Sequence, residues 1–106
     1  MTFKALFIAH APDADYKKHR TVIDTGMYKL HSVVVKTQEE AVQVSKDFLQ
    51  NESIEAIMLC PGFKHGDVAE IFEAVDGKVS VNVARGDGPS SRISMEALKK
   101  AGFFRS

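Results

Sequence analysis

Tryptophan is absent from this 106-residue chain, cysteine occurs once, proline three times, and the formal net charge is zero. Each shortage excludes something. A lone thiol, Cys60, cannot close an internal disulfide, so the fold is not a disulfide scaffold. Lys plus Arg and Asp plus Glu both total 14, so no broad positive field draws a phosphate backbone, and nucleic acid is not an expected partner. The longest apolar runs, Ala5 to Ala9 and Ala56 to Cys60, fall far short of the roughly 20 residues that span a bilayer. The N-terminus shows no basic region, long apolar core or cleavage site, and we expect a cytoplasmic protein with no membrane segment.

What is present is ordinary globular composition, 44% apolar with seven Phe, enough to fold as one domain over 1–106 without a cofactor. Zero net charge gives little repulsion between copies and favours self-association.

Apolar spacing supplies the elements. Phe3 to Ala9 is a short apolar run ended by His-Ala-Pro-Asp and reads as a first strand. The Asp15 to Asp24 stretch reads as a short helix or a loop; as a helix it would set Tyr16, His19 or Arg20, and Ile23 near one face. Tyr28 to Val35 ends in a β-branched run and reads as a second strand. Thr37-Gln-Glu-Glu40 offers a capping box. The helix behind it buries Ala41, Val44, Ser45, Phe48 and Leu49, with Asn51 closing its end.

Ile54 to Cys60 reads as a third strand, flanked by helices and expected to be covered on both faces. Val68, Ile71, Phe72 and Val75 carry the next helix, preceded by Gly66-Asp67 and closed by Gly77. Lys78 to Ala84 alternates as a fourth strand with one covered face, Arg85 to Ser91 is a loop, and Ile93 to Ala101 is a last helix ended by Gly102. The string predicts an α/β fold: a mostly parallel four-stranded sheet flanked by helices, flavodoxin-like or Rossmann-like, in the order 2-1-3-4. A second copy closing its uncovered face or edge would make a homodimer.

In such sheets ligands bind beyond the carboxyl ends of the strands, where successive connections diverge. Three loops are expected to meet there, at His10 to Asp13, Cys60 to Gly66 and Arg85 to Arg92. His10 and His65 are candidates for acid–base work, and Cys60 for a nucleophile favoured by the following helix start. A buried structural cysteine is the plainer reading of Cys60. Lys64, Arg85 and Arg92, with Asp87, Ser90 and backbone amides beside them, suggest an anionic metabolite. His10, Cys60 and His65 are too scattered for a metal, and Gly62, Gly66, Gly86 and Gly88 match neither a dinucleotide fingerprint nor a P-loop. The Arg85-Gly86-Asp87 tripeptide is read as coincidence, and the basic run Lys17 to Arg20 as a solvated face.

A strand ending in Ala-Pro-Asp-Ala-Asp15, the segments Lys-His-Arg-Thr-Val-Ile23 and Glu-Glu-Ala-Val42, and Met-Leu-Cys-Pro-Gly-Phe63 before Val-Ala-Glu-Ile71 together resemble a family of short prokaryotic proteins of unknown function. The similarity spans nearly the whole chain, and Leu59 to Phe63 is its most distinctive part. It implies one domain and carries over no activity. The leading expectation is therefore a small-molecule-binding domain for an anionic metabolite. The alternatives are a small lyase, isomerase or hydrolase using His10 with Cys60 or His65, and an assembly subunit without ligand that associates through the Val79 to Val83 strand.

Overall fold

The computed structural model describes residues 1–104. It is a mixed α/β fold with five strands and three helices: β1 (Phe3–His10), β2 (Arg20–Asp24), β3 (Tyr28–Val35), α1 (Gln38–Glu52), β4 (Ala56–Leu59), α2 (His65–Ala74), β5 (Ser80–Val83) and α3 (Gly88–Lys100). The sheet order is β2-β3-β1-β4-β5, with β2 antiparallel to β3 and every other neighbour parallel. The sheet thus has five strands, not the four expected.

The additional strand is β2, in the stretch that reads from the sequence as a short helix or a loop. Only Asp15 to His19 turns, with the His19 amide donating to Asp15 O at 2.8 Å. The reason lies in Thr21-Val22-Ile23, three consecutive β-branched residues that lose χ1 freedom in a helix but suit a sheet. A hairpin loop follows at Thr25-Gly26-Met27, where Gly26 takes φ 100° and donates to Asp24 Oδ1. That conformation is cheap only for glycine.

α1 starts where Thr37 predicts, its hydroxyl accepting the Glu40 N–H at 3.1 Å. Glu40 reaches back one residue further than a standard box, to the Lys36 amide at 2.8 Å. Ala41, Val44, Ser45 and Phe48 form its buried stripe. The helix runs past Asn51 to end at Ser53, which adopts the left-handed conformation at φ 55°. α3 begins earlier than the Ile93 expected, because Pro89 is preset for a first turn; Asp87 holds the N-cap position, but its carboxylate pairs with Arg85 and makes no capping bond.

α1 and α2 pack side by side and against β1, β3 and β5. They bury the face carrying Leu6, Ile8, Val33, Val35, Ile57 and Leu59. The opposite face has no helix on it, so the expectation that the third strand is covered on both sides is overturned: Met58 on β4 is exposed beside buried Leu59. No helix among the described residues is long and apolar enough to cross a membrane.

Candidate functional site

Two regions carry unusual polar groups, at opposite ends of α1. The first is the carboxyl edge that the sequence pointed to. β1 and β4 are neighbours, and the Cys60 amide continues their ladder by donating to Ile8 O at 3.1 Å. This brings the loop after β4 against His10, whose ring stacks on buried Phe63 with centroids 4.1 Å apart and planes at 26°. Gly62 lies between them: a Cβ there would sit 3.6 Å from Cys60 Sγ and 4.0 Å from His10 Nδ1. Thiol and imidazole therefore flank one small opening that exists because residue 62 has no side chain.

Burial pulls the pKa of His10 below its usual 6.5, and the Asp67 carboxylate partly offsets this. The imidazole is accordingly neutral at neutral pH. Asp67 Oδ2 also accepts the Lys64 N–H at 3.0 Å, closing the start of α2. An anion approaching these amides would meet that carboxylate first. Nearby, the Gln38 amide donates to Asp67 O and Glu70 Oε1, while its own Oε1 is buried without a partner.

The remaining expected residues are less involved. Lys64 and His65 are exposed. Arg85 is spent on Asp87 in a 2.7 Å ion pair, with its side chain 86% exposed. Ser90 and Arg92 lie exposed on α3. Among the described residues no hydrogen bond or ion pair joins any of these to His10 or Cys60. No group of three or more His, Cys, Asp and Glu among the described residues could hold a metal ion.

The second region was missed. A groove of about 280 Å³ runs between the β2–β3 hairpin and the last turns of α1, lined by Arg20, Thr21, Val22, His31, Phe48 and Glu52. The pairing of Val22 with His31 and Arg20 with Val33 sets these side chains on the helix-covered face. His31 is only 8% exposed and packs edge-on against Phe48, with centroids 4.9 Å apart. Its Nε2 is buried and has no hydrogen-bond partner. Glu52 Oε1 stands 3.7 Å away, beyond bonding distance, and also faces Lys29 Nζ at 3.8 Å.

Burial lowers the pKa of His31; Glu52 opposes the shift, and Lys29, Arg20 and Lys4 add to it. The Arg20 guanidinium lies over the Phe48 ring at 5.4 Å and donates through Nε to Tyr16 O. Its two terminal nitrogens have no acceptor among the described residues. A second, smaller groove lined by Arg20, Asp47, Phe48, Asn51 and Glu52 continues the first. A signal for this site was present in the sequence: His31 occupies the inward register shared with Val33 and Val35, where a titratable group is out of pattern.

A model of one protein family matches residues 3–99, and the family is described as one of unknown function, DUF6506. No curated protein and no solved structure compared with the chain matches it.

Proposed function

The chain belongs to the DUF6506 family of unknown function, and from its own geometry we propose that it binds a small anionic metabolite in the groove between β2, β3 and α1. One observation carries this: His31, whose Nε2 is buried and unpartnered, lines the same groove as Arg20, whose terminal guanidinium nitrogens have no acceptor among the described residues. A buried polar atom without a partner costs about 1–3 kcal/mol. A ligand that satisfies it recovers that cost. Arg20 offers the planar pair of donors that suits a carboxylate or phosphate, Phe48 holds its plane, and Lys29 offsets the charge of Glu52.

The test is a thermal-shift screen against small carboxylates and phosphates with wild type, Arg20→Gln and Lys64→Ala. A ligand at a hundred times its Kd stabilises the native state by about 2.7 kcal/mol, which a melt reads easily. A hit lost in Arg20→Gln and kept in Lys64→Ala supports the groove. The reverse pattern returns the site to the carboxyl edge, and a panel without hits argues against ligand binding of this class.

A second reading is favoured by the opening at Gly62: an enzyme in which neutral His10 takes a proton from Cys60 or from a bound substrate. The rate of Cys60 alkylation against pH tests it. An ordinary thiol profile near pH 8.5, unchanged in His10→Ala, would remove the nucleophile version.

A further inference from the structure

Alternation along the strands divides the sheet into two faces, and the residue pairings align them across all five strands. One face is covered by α1 and α2. The other presents Phe3, Phe7, Leu30, Val34, Met58 and Ile23 among small or uncharged polar neighbours, and no strand position on it carries a charged residue. Ile23 is 59% exposed and Phe3 47%. Parallel sheets are found with both faces covered, and a soluble face wholly without charge is one that expects a second layer.

The same chain carries an unused layer. At 100° per residue, Ile93, Ala97, Ala101 and Leu98 fall within an arc of about 140°, with Met95 beyond its edge, while Arg92, Glu96, Lys99 and Lys100 fall within an arc of about 100° on the other side of α3. This amphipathic helix buries no residue and packs substantially against no other element. Gly102 at φ 88° and the Phe103 amide, donating to Leu98 O, end it in a formed cap. The helix is thus fully built and has nothing to lie on.

We propose that a second copy of this chain covers the open sheet face, each copy laying the Ile93 side of its α3 across the sheet of the other. The dimensions agree. A 13-residue helix is about 20 Å long, and five strands about 4.8 Å apart span roughly 20–25 Å. Two reciprocal contacts bury on the order of 1,000 Å², the lower bound for a specific interface. Charge agrees too, since the face has no charge to desolvate and the charged side of α3 stays in water. The arrangement is isologous, closes at two copies, and completes the layer that each copy lacks.

The experiment is mass by light scattering at tens of micromolar for wild type, Met58→Glu on the sheet face, Ile93→Glu on α3, and Phe72→Glu, an apolar residue on the helix layer whose exposure lies between those of Met58 and Ile93. Wild type and Phe72→Glu are expected at twice the 11.7 kDa chain mass. Met58→Glu and Ile93→Glu are expected to weaken the dimer at least tenfold with unchanged far-ultraviolet circular dichroism. Mixing these two variants should restore part of the dimer, because an intact helix of one meets an intact sheet of the other. A monomeric wild type overturns the proposal, with α3 then free or folded onto its own sheet. So does a dimer that ignores Met58→Glu, or one that ignores Ile93→Glu, the latter meaning that the sheets meet directly.

Discussion

His31 Nε2 and Glu52 Oε1 face each other across 3.7 Å at the end of α1, too far apart to share a hydrogen bond and too close to be independent. Burial dominates this pair and holds the imidazole neutral. A neutral, nine-tenths buried histidine beside a carboxylate has a defined effect on stability.

Both His31 and His10 have pKa values lowered by burial from 6.5. In the unfolded chain each takes up its proton near 6.5, whereas the folded chain resists protonation until lower pH. The unfolded state therefore binds more protons in that window, and stability rises with pH across it. Their contribution is intact above about pH 6.5 and is lost as pH falls through the folded values. The melting temperature should drop as pH is lowered through and below about 6.5. His31→Gln should flatten that slope, and a slope unchanged in His31→Gln and His10→Gln alike would contradict the assignment.

The opening at Gly62 makes a separate prediction. Its φ is not in the left-handed region, and an added Cβ meets Cys60 Sγ and His10 Nδ1 at ordinary contact distances. Gly62→Ala should therefore change stability by no more than about 0.5 kcal/mol. A larger side chain should nonetheless close the path to the half-buried thiol. Alkylation of native Cys60 should slow severalfold in Gly62→Val with the urea midpoint preserved, and an unaltered rate would mean that reagent reaches the sulfur from another side.

At the start of α1, the Thr37 hydroxyl satisfies the Glu40 amide. Thr37→Ala leaves that donor to water and should cost about 1 kcal/mol. Urea unfolding followed by circular dichroism measures it. Serine at the same position should recover most of the loss.

How much of this was legible depends on which force decided each element. The stripe Ala41, Val44, Ser45, Phe48 and the strand Tyr28 to Val35 were readable because burial decided both. Arg20 to Asp24 was misread because its residues are all exposed, so no buried stripe existed and the β-branched run at Thr21 to Ile23 was the better guide. His10 and Cys60 do meet at one edge. Arg85 does not join them, because Asp87 two residues away is its nearest partner, a local pairing that loop composition does not reveal. The groove at His31 depends on a hairpin that was not foreseen. α3 reads from the sequence only as a last helix, because periodicity says that a face wants burial without saying against which surface.

Met58 and Leu59 are neighbours on β4 that point to opposite faces, and the contrast between them measures what covers the sheet. Leu59 is fully buried under α1 and α2, so Leu59→Ala should cost roughly 2–5 kcal/mol at any protein concentration. Met58 is 37% exposed in the single chain. Truncating a side chain more than a third in water should cost well under that, about 0.5 kcal/mol. If a second copy shields this face, the cost of Met58→Ala must instead grow with protein concentration, because dimerisation adds stability by mass action only where the interface is intact. Melts of wild type and Met58→Ala over a hundredfold dilution series separate the two cases. Curves that converge on dilution and part on concentration mean a covered face, and a constant small gap means that Met58 stays in water.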